Sequence, residues 1–167
     1  AYLMATDKEI DISENYILNS LNRYSIFGSV DIVEGGYTCF AQGYILSSIG
    51  AIDEKYDAYD ELGKISPIIL ANNTYYATTG IYENDDLQVN ITFYKELLLK
   101  YGALVIYTEA DDNDGEYYNN EPYASYCNDS MKGDHSVTLV GWNDTFSASN
   151  FKITPPGDGA WIIKNSW

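Results

Sequence analysis

Residues 134–142 read Asp-His-Ser-Val-Thr-Leu-Val-Gly-Trp, and residues 161–167 read Trp-Ile-Ile-Lys-Asn-Ser-Trp. In the first stretch apolar and polar residues alternate, which is typical of a β-strand with one buried face. The second stretch predicts another strand, and a polar loop containing proline joins the two over 143–158. If the strands pair as antiparallel neighbours, His135 at the start of one can face Asn165 at the end of the other. The sequence therefore predicts that its only histidine lies within reach of a side-chain amide.

The residues before this pair of strands predict helices first and strands later. Apolar residues at helical spacing predict three helices: one capped by Asp11 or Ser13, one over 40–49 ended by Gly50, and one capped by Thr92 and ended by Gly102. Phe93, Leu97 and Tyr101 are predicted to share a face of the third helix. The apolar run over 103–107 predicts a buried strand after it.

Length and charge restrict the classes of protein that the chain can belong to. The chain has 167 residues and 18.7 kDa, which suits one domain or two small lobes. Its net charge is −16, and such a surface repels phosphate backbones and anionic membranes. The apolar share of 46% indicates a folded domain with a real core. Nucleic acid is therefore not an expected partner.

Composition also indicates where the protein works. Seventeen tyrosines, among many Asn, Asp and Ser residues, suggest a secreted or cell-surface protein. Two cysteines are too few for a disulfide scaffold. No apolar stretch approaches the roughly 18 residues of a membrane-spanning helix.

Four blocks of the chain together resemble the papain-like cysteine peptidases (C1A type). The resemblance covers essentially the whole chain, with the blocks in the family's order: Asp11-Ile12-Ser13-Glu14-Asn15, Gly35-Gly36-Tyr37, and the two strand stretches 134–142 and 161–167. The connecting residues 155–159 resemble bacterial and archaeal members especially. The last two blocks, in this order and at this separation, are the most specific.

The resemblance implies an α+β fold of two lobes. Residues 1–66 would form a partial helical lobe, and residues 67–167 an antiparallel, β-barrel-like lobe that carries His135 and Asn165. The implied activity is that of a thiol protease, an endopeptidase that hydrolyses peptide bonds through a Cys-His-Asn mechanism. Peptides or proteins are the implied substrates, and no cofactor or metal is implied.

The resemblance also assigns roles to single residues. His135 would be the general base and acid, Asn165 would orient its ring, and Trp167 would shield their hydrogen bond from water. Four further residues would contact substrate: Gly35, Gly36, Tyr37 and Asp134.

The nucleophilic cysteine of the family's G-x-C-W-A-F motif has no counterpart at the expected place. Residues 1–5 resemble the tail of the helix that this motif begins, so the cysteine is expected upstream of residue 1. The chain alone is then expected to be inactive, and its partner would be the N-terminal segment of the same precursor.

The two cysteines of the chain have other expected roles. Cys39 lies in Thr38-Cys39-Phe40-Ala41, which superficially resembles the nucleophile motif. It follows the Gly-Gly-Tyr block, however, and the sequence favours a small buried apolar residue there. Cys127 resembles a family half-cystine, and a disulfide between Cys39 and Cys127 stays open.

A function of a different class is also compatible with the sequence. Because the nucleophile motif is absent, the chain could be a non-catalytic, papain-like binding or adhesion module at the cell surface. The residue encoded at the nucleophile position distinguishes the two: cysteine favours the peptidase, whereas serine or glycine favours the binding module.

Overall fold

The fold consists of helices and antiparallel strands and belongs to the α+β class, as predicted. The computed structural model describes residues 2–21, 37–47, 50–60, 75, 77, 80–81, 90–108, 115–127 and 135–166. Two compact units divide the chain, Tyr2–Asn84 and Asp85–Trp167. The lobe boundary predicted between residues 66 and 67 lies outside the described residues.

The first unit is helical in its described parts. Its elements are α1 (Tyr2–Thr6), α2 (Glu14–Leu21), α3 (Thr38–Leu46) and a 3-10 turn (Glu54–Tyr56). Single antiparallel bridges join Ile12 to Asp53 and Ala51 to Tyr75. Ala51 and Ile52 are fully buried, so the segment before the 3-10 turn belongs to the core of the described part of this unit.

Ser13 caps α2. Its Oγ accepts a hydrogen bond from the Tyr16 N–H at 2.9 Å, the bond expected of an N-cap residue. The same Oγ donates to the Asp57 carbonyl at 2.6 Å, and Ser13 is fully buried. Of the two predicted caps, Ser13 takes the role, because it directly precedes Glu14, the first residue of α2, whereas Asp11 lies three residues before it.

The second unit contains the strands. Its elements are α4 (Ile91–Tyr101), β1 (Leu104–Thr108), β2 (Tyr118–Asn119), β3 (Ala124–Ser125), β4 (His135–Asn143), a 3-10 turn (Ala148–Asn150) and β5 (Ala160–Lys164). β2 and β3 form a small hairpin, and the larger sheet has the order β1-β4-β5. Within the described residues this larger sheet is open and wholly antiparallel.

β4 is the central strand and carries the core of the sheet. Val137 and Leu139 are 4% and 0% exposed, which agrees with the predicted alternation. The predicted antiparallel pairing of the two C-terminal stretches is confirmed by the β4–β5 register, Thr138 opposite Lys164 and Asn143 opposite Ala160. The register shifts by one residue between Leu139 and Gly141, which marks a β-bulge.

α4 differs from the prediction at its start and agrees at its end. Asn90 occupies the N-cap position, so Thr92 lies inside the first turn and does not cap the helix. Gly102 ends the helix as predicted, with φ 83° and ψ −148°, a conformation that is essentially restricted to glycine.

The structure decides which faces of α4 and β1 are buried. The helix buries Tyr94 and Leu98, each one residue on from Phe93 and Leu97 of the predicted shared face. The strand predicted over 103–107 is present as β1, one residue later, but only one of its faces is covered, since Val105 and Tyr107 are 55% and 48% exposed. These two residues pair with Thr138 and Ser136, which alternate with the buried positions of β4.

No helix among the described residues combines the length and apolar character needed to cross a bilayer.

Candidate active site

The candidate site begins at the first residue of β4. His135 opens this strand, is partly buried, and pairs with Thr108 at the end of β1. His135 lies two residues before Val137 and four before Leu139, so its side chain projects from the same, buried face of the sheet. The core residues of β4 therefore anchor the backbone that carries the imidazole.

Asn165 directly follows β5 and approaches the same ring. Its Oδ1 lies 3.0 Å from His135 Nε2, within hydrogen-bond distance. The same Oδ1 accepts the main-chain N–H of Ser166 at 2.9 Å. The structure thus brings together the histidine and the amide that the two strand motifs carry.

Ser166 adds a contact that sequence reasoning missed. The residue contributes through its main-chain N–H, a group that every residue except proline carries. A pattern of residue types therefore holds no signal from which this contact could have been found.

An ion pair lies just beyond the opposite end of β4. Lys95 Nζ, from α4, contacts Asp144 Oδ1 at 2.5 Å and lies 5.3 Å from the centre of the Trp142 ring. The hydrogen bond from Lys95 holds the pKa of the Asp144 carboxyl below its usual value. This contact joins α4 to the end of β4 that lies away from His135.

The other predicted site residues are mostly outside the described part of the chain. Gly35, Gly36, Asp134 and Trp167 all fall there. Tyr37 is described, directly before α3, with an extended backbone and 70% of its surface exposed. Its ring packs edge-to-face on Phe40 at 5.9 Å, which orients an otherwise solvent-exposed aromatic side chain.

The two cysteines are free thiols and form no disulfide with each other. Cys39 is exposed in the first turn of α3, so the expectation of a buried apolar residue is wrong. The buried residue of that helix is Tyr44, which lies on a different face. In the described ranges no group of three or more His, Cys, Asp or Glu side chains is arranged to hold a metal ion.

An imidazole and a carboxamide that meet across antiparallel strands, in an α+β fold, define a candidate site of the cysteine-peptidase type. The family model for papain family cysteine proteases matches residues 1–167, so the chain belongs to this family. No curated protein matches the chain.

Solved structures of similar fold include two of Cwp84. One is a clostridial cysteine protease Cwp84 after propeptide cleavage, with 24% identity over 100% of this chain and 42% of that chain, and a TM-score of 0.74. The other comprises the cysteine protease and lectin-like domains of Cwp84, a surface-layer-associated protein of Clostridium difficile, with 24% identity over 100% and 37% of the two chains and a TM-score of 0.73.

A third structure comes from work on the mite allergens Blo t 1 and Der p 1. It shares 23% identity over 99% of this chain and 50% of that chain, with a TM-score of 0.65. These likenesses confirm the papain-like fold. The chain spans half or less of the length of the chain in each of these three structures.

Proposed function

We propose that this chain carries the acid–base part of a cysteine endopeptidase that hydrolyses peptide bonds in peptides or proteins. The observation that supports this proposal is the 3.0 Å approach of His135 Nε2 to Asn165 Oδ1. Both residues occupy the places of the family's catalytic histidine and asparagine within the strand motifs. Family membership and the contact together favour catalysis over a purely structural histidine.

The proposed reaction uses the second ring nitrogen. Because Nε2 is turned to Asn165, Nδ1 would accept the proton of a cysteine thiol. The thiolate then attacks the scissile carbonyl carbon, and the imidazolium returns the proton to the leaving amine as the C–N bond breaks. Water, deprotonated by the neutral imidazole, cleaves the resulting thioester, and the proton returns to the thiol as the acid product leaves.

The thiolate is proposed to come from a segment outside these 167 residues, as part of the same precursor. Cys39 is exposed, but it follows the Gly-Gly-Tyr block and lacks the family's preceding glutamine. On this proposal the 167 residues alone have no peptidase activity.

Substrate contacts are proposed for the residues that match the family's cleft. Tyr37 would line the pocket beside the cleavage point, and its 70% exposure leaves the ring accessible to a ligand. Gly35 and Gly36 would pair with the substrate backbone, and Asp134 would lie beside His135. Trp167 would cover the histidine–asparagine bond.

A location outside the cell is part of the same proposal. The tyrosine-rich, acidic composition supports it, as does the fold shared with Cwp84, which is described as a surface-layer-associated protein.

The proposal is tested by comparing peptide hydrolysis by the 167-residue chain with that of a longer polypeptide that includes the preceding segment of the gene. The longer protein is expected to cleave a fluorogenic peptide. His135→Ala should lower the rate by more than the 10²–10⁴-fold typical of general acid–base catalysis, because thiolate formation is lost as well. Asn143→Ala, at the other end of β4, is the matched control and should leave the rate unchanged.

Two results would contradict the proposal. One is activity that survives His135→Ala. The other is labelling of Cys39, rather than an upstream cysteine, by an epoxide inhibitor of cysteine peptidases, detected by mass spectrometry. Serine or glycine at the upstream nucleophile position, with no hydrolysis, would instead identify a non-catalytic binding module.

A further inference from the structure

An asparagine and a neutral histidine can form a hydrogen bond in two ways. The amide oxygen can accept from a protonated ring nitrogen, or the amide NH₂ group can donate to an unprotonated one. Both arrangements have the same shape, because the oxygen and nitrogen of the amide are nearly the same size. The contact between His135 and Asn165 at 3.0 Å therefore does not by itself determine which ring nitrogen carries the proton.

A third group in the site distinguishes the two arrangements. The main-chain N–H of Ser166 points at the same Asn165 atom that faces the ring, at 2.9 Å. A backbone N–H can only donate, so it pairs well with an amide oxygen and repels an amide NH₂ group. With Oδ1 held toward both partners, the ring must present a proton on Nε2.

We propose that the main-chain N–H of Ser166 is a positioning group that fixes the amide orientation of Asn165 and, through it, the Nε2–H tautomer of His135. The consequence for catalysis, which rests on the proposed function, is that the lone pair stands on Nδ1, the nitrogen that would take the thiol proton. In the opposite arrangement Nδ1 would carry the proton and could not act as the base.

The tautomer can be measured directly because the chain contains a single histidine. Protein labelled with ¹⁵N only in histidine gives one pair of ring nitrogen signals, and long-range ¹H–¹⁵N spectra identify the protonated nitrogen. The measurement is made above the pH at which the ring loses its charge. It needs neither the nucleophile nor a substrate, so its outcome is separate from that of the peptidase assay.

The key variant replaces Ser166 with its α-hydroxy acid, which turns the peptide bond between Asn165 and Ser166 into an ester without an N–H. Residue 166 lies two residues beyond the end of β5, so the substitution leaves the β4–β5 register intact. A net hydrogen-bond contribution of ordinary size predicts that the ratio of Nε2–H to Nδ1–H falls about threefold to tenfold. Ser166→Pro removes the same N–H by a different chemistry and serves if the ester variant does not fold.

Two controls distinguish positioning from general damage to the site. Ser166→Ala keeps the N–H and should leave the tautomer ratio unchanged. Asn165→Asp in the ester protein offers an oxygen at either end of the side chain, so it should restore the Nε2–H form.

The proposal is overturned if the unmodified chain holds the Nδ1–H tautomer. It is equally overturned if the ester and Ser166→Pro both leave the ratio unchanged, or if Ser166→Ala shifts it as far as they do. A lowered ratio in the ester that Asn165→Asp restores supports it.

Discussion

Replacing Ser13 with alanine should destabilise the first unit well beyond the loss of an ordinary helix cap. The Ser13 hydroxyl makes two hydrogen bonds, accepting from the Tyr16 N–H at 2.9 Å and donating to the Asp57 carbonyl at 2.6 Å. Ser13 is fully buried and Asp57 is 9% exposed. Water therefore has little access to replace the lost hydroxyl as the partner of the Tyr16 N–H and the Asp57 carbonyl.

The magnitude follows from the two bonds. Losing a serine N-cap costs about 1 kcal/mol. Removing the hydroxyl that donates to the buried Asp57 carbonyl costs a further ~1–3 kcal/mol. The expected loss of unfolding free energy is about 2–4 kcal/mol, which is a large part of the stability of a small domain.

The measurement is urea unfolding followed by two signals. All three tryptophans of the chain, at positions 142, 161 and 167, belong to the second unit, so their fluorescence reports on that unit. Far-ultraviolet circular dichroism includes the helices of the first unit. With a urea dependence of about 2 kcal/mol per molar, the dichroism midpoint of Ser13→Ala should fall by roughly 1–2 M.

Ser147→Ala is the matched control. Ser147 caps the second 3-10 turn, where its Oγ accepts from the Ser149 N–H at 3.3 Å in an exposed setting. Its loss should cost less than about 1 kcal/mol. If Ser13→Ala costs no more than Ser147→Ala, the argument from burial of the Asp57 carbonyl is refuted.

Three further predictions concern the second unit. Leu139→Ala, at a fully buried position, should lower the unfolding free energy by about 2–5 kcal/mol, as measured by thermal or urea unfolding. The control Val140→Ala, at a 46% exposed position, should lower it much less in the same assay. Gly102→Ala should cost about 1–3 kcal/mol in the same assay, because a side chain is strained at φ 83° and ψ −148°. Lys95→Met should raise the pKa of Asp144 toward its usual value, which NMR titration of the carboxyl group measures. In the unmodified protein the ion pair stabilises the fold at pH values above that usual pKa, and this contribution is lost as the pH falls through the lowered pKa. An Asp144 midpoint unchanged by Lys95→Met would contradict the last of these.

The strands that carry the candidate site were predictable because their pattern is local. Alternation along β4 predicts which residues face the core, and Val137 and Leu139 are buried accordingly. The hairpin connection then predicts the pairing with β5 and the approach of Asn165 to His135.

The errors arose where tertiary packing decides between equivalent local patterns. Thr92 is a chemically reasonable cap, but the helix begins at Ile91 and buries the face of Tyr94 and Leu98. In β1 an unbroken apolar run carries no information about which face is covered, and its pairing with β4 decides that Val105 is exposed.

The bulge in β4 determines on which side of the sheet Asn165 lies. Leu139 is opposite Ile163, but the next pair toward the loop is Gly141 with Ile162, so Val140 is an additional residue on β4. Paired residues lie on the same side of a sheet, so Ile163 is on the side that carries Leu139 and His135. Side chains alternate along a strand, so Asn165, two residues after Ile163, lies on that side as well.

Without that additional residue, the register of the Trp142–Trp161 pair would continue along both strands. Asn165 would then lie opposite Thr138, on the other side of the sheet from His135. Deleting a single amino acid at position 140 would thus separate imidazole and carboxamide by the thickness of the sheet while leaving the hairpin loop unaltered. Insertions and deletions within the loop between β4 and β5 do not change the side of the sheet on which Asn165 lies, because the strand pairing between the loop and the bulge stays the same. Length variation among descendants of this sequence should therefore accumulate in the loop and be absent from the interior of β4.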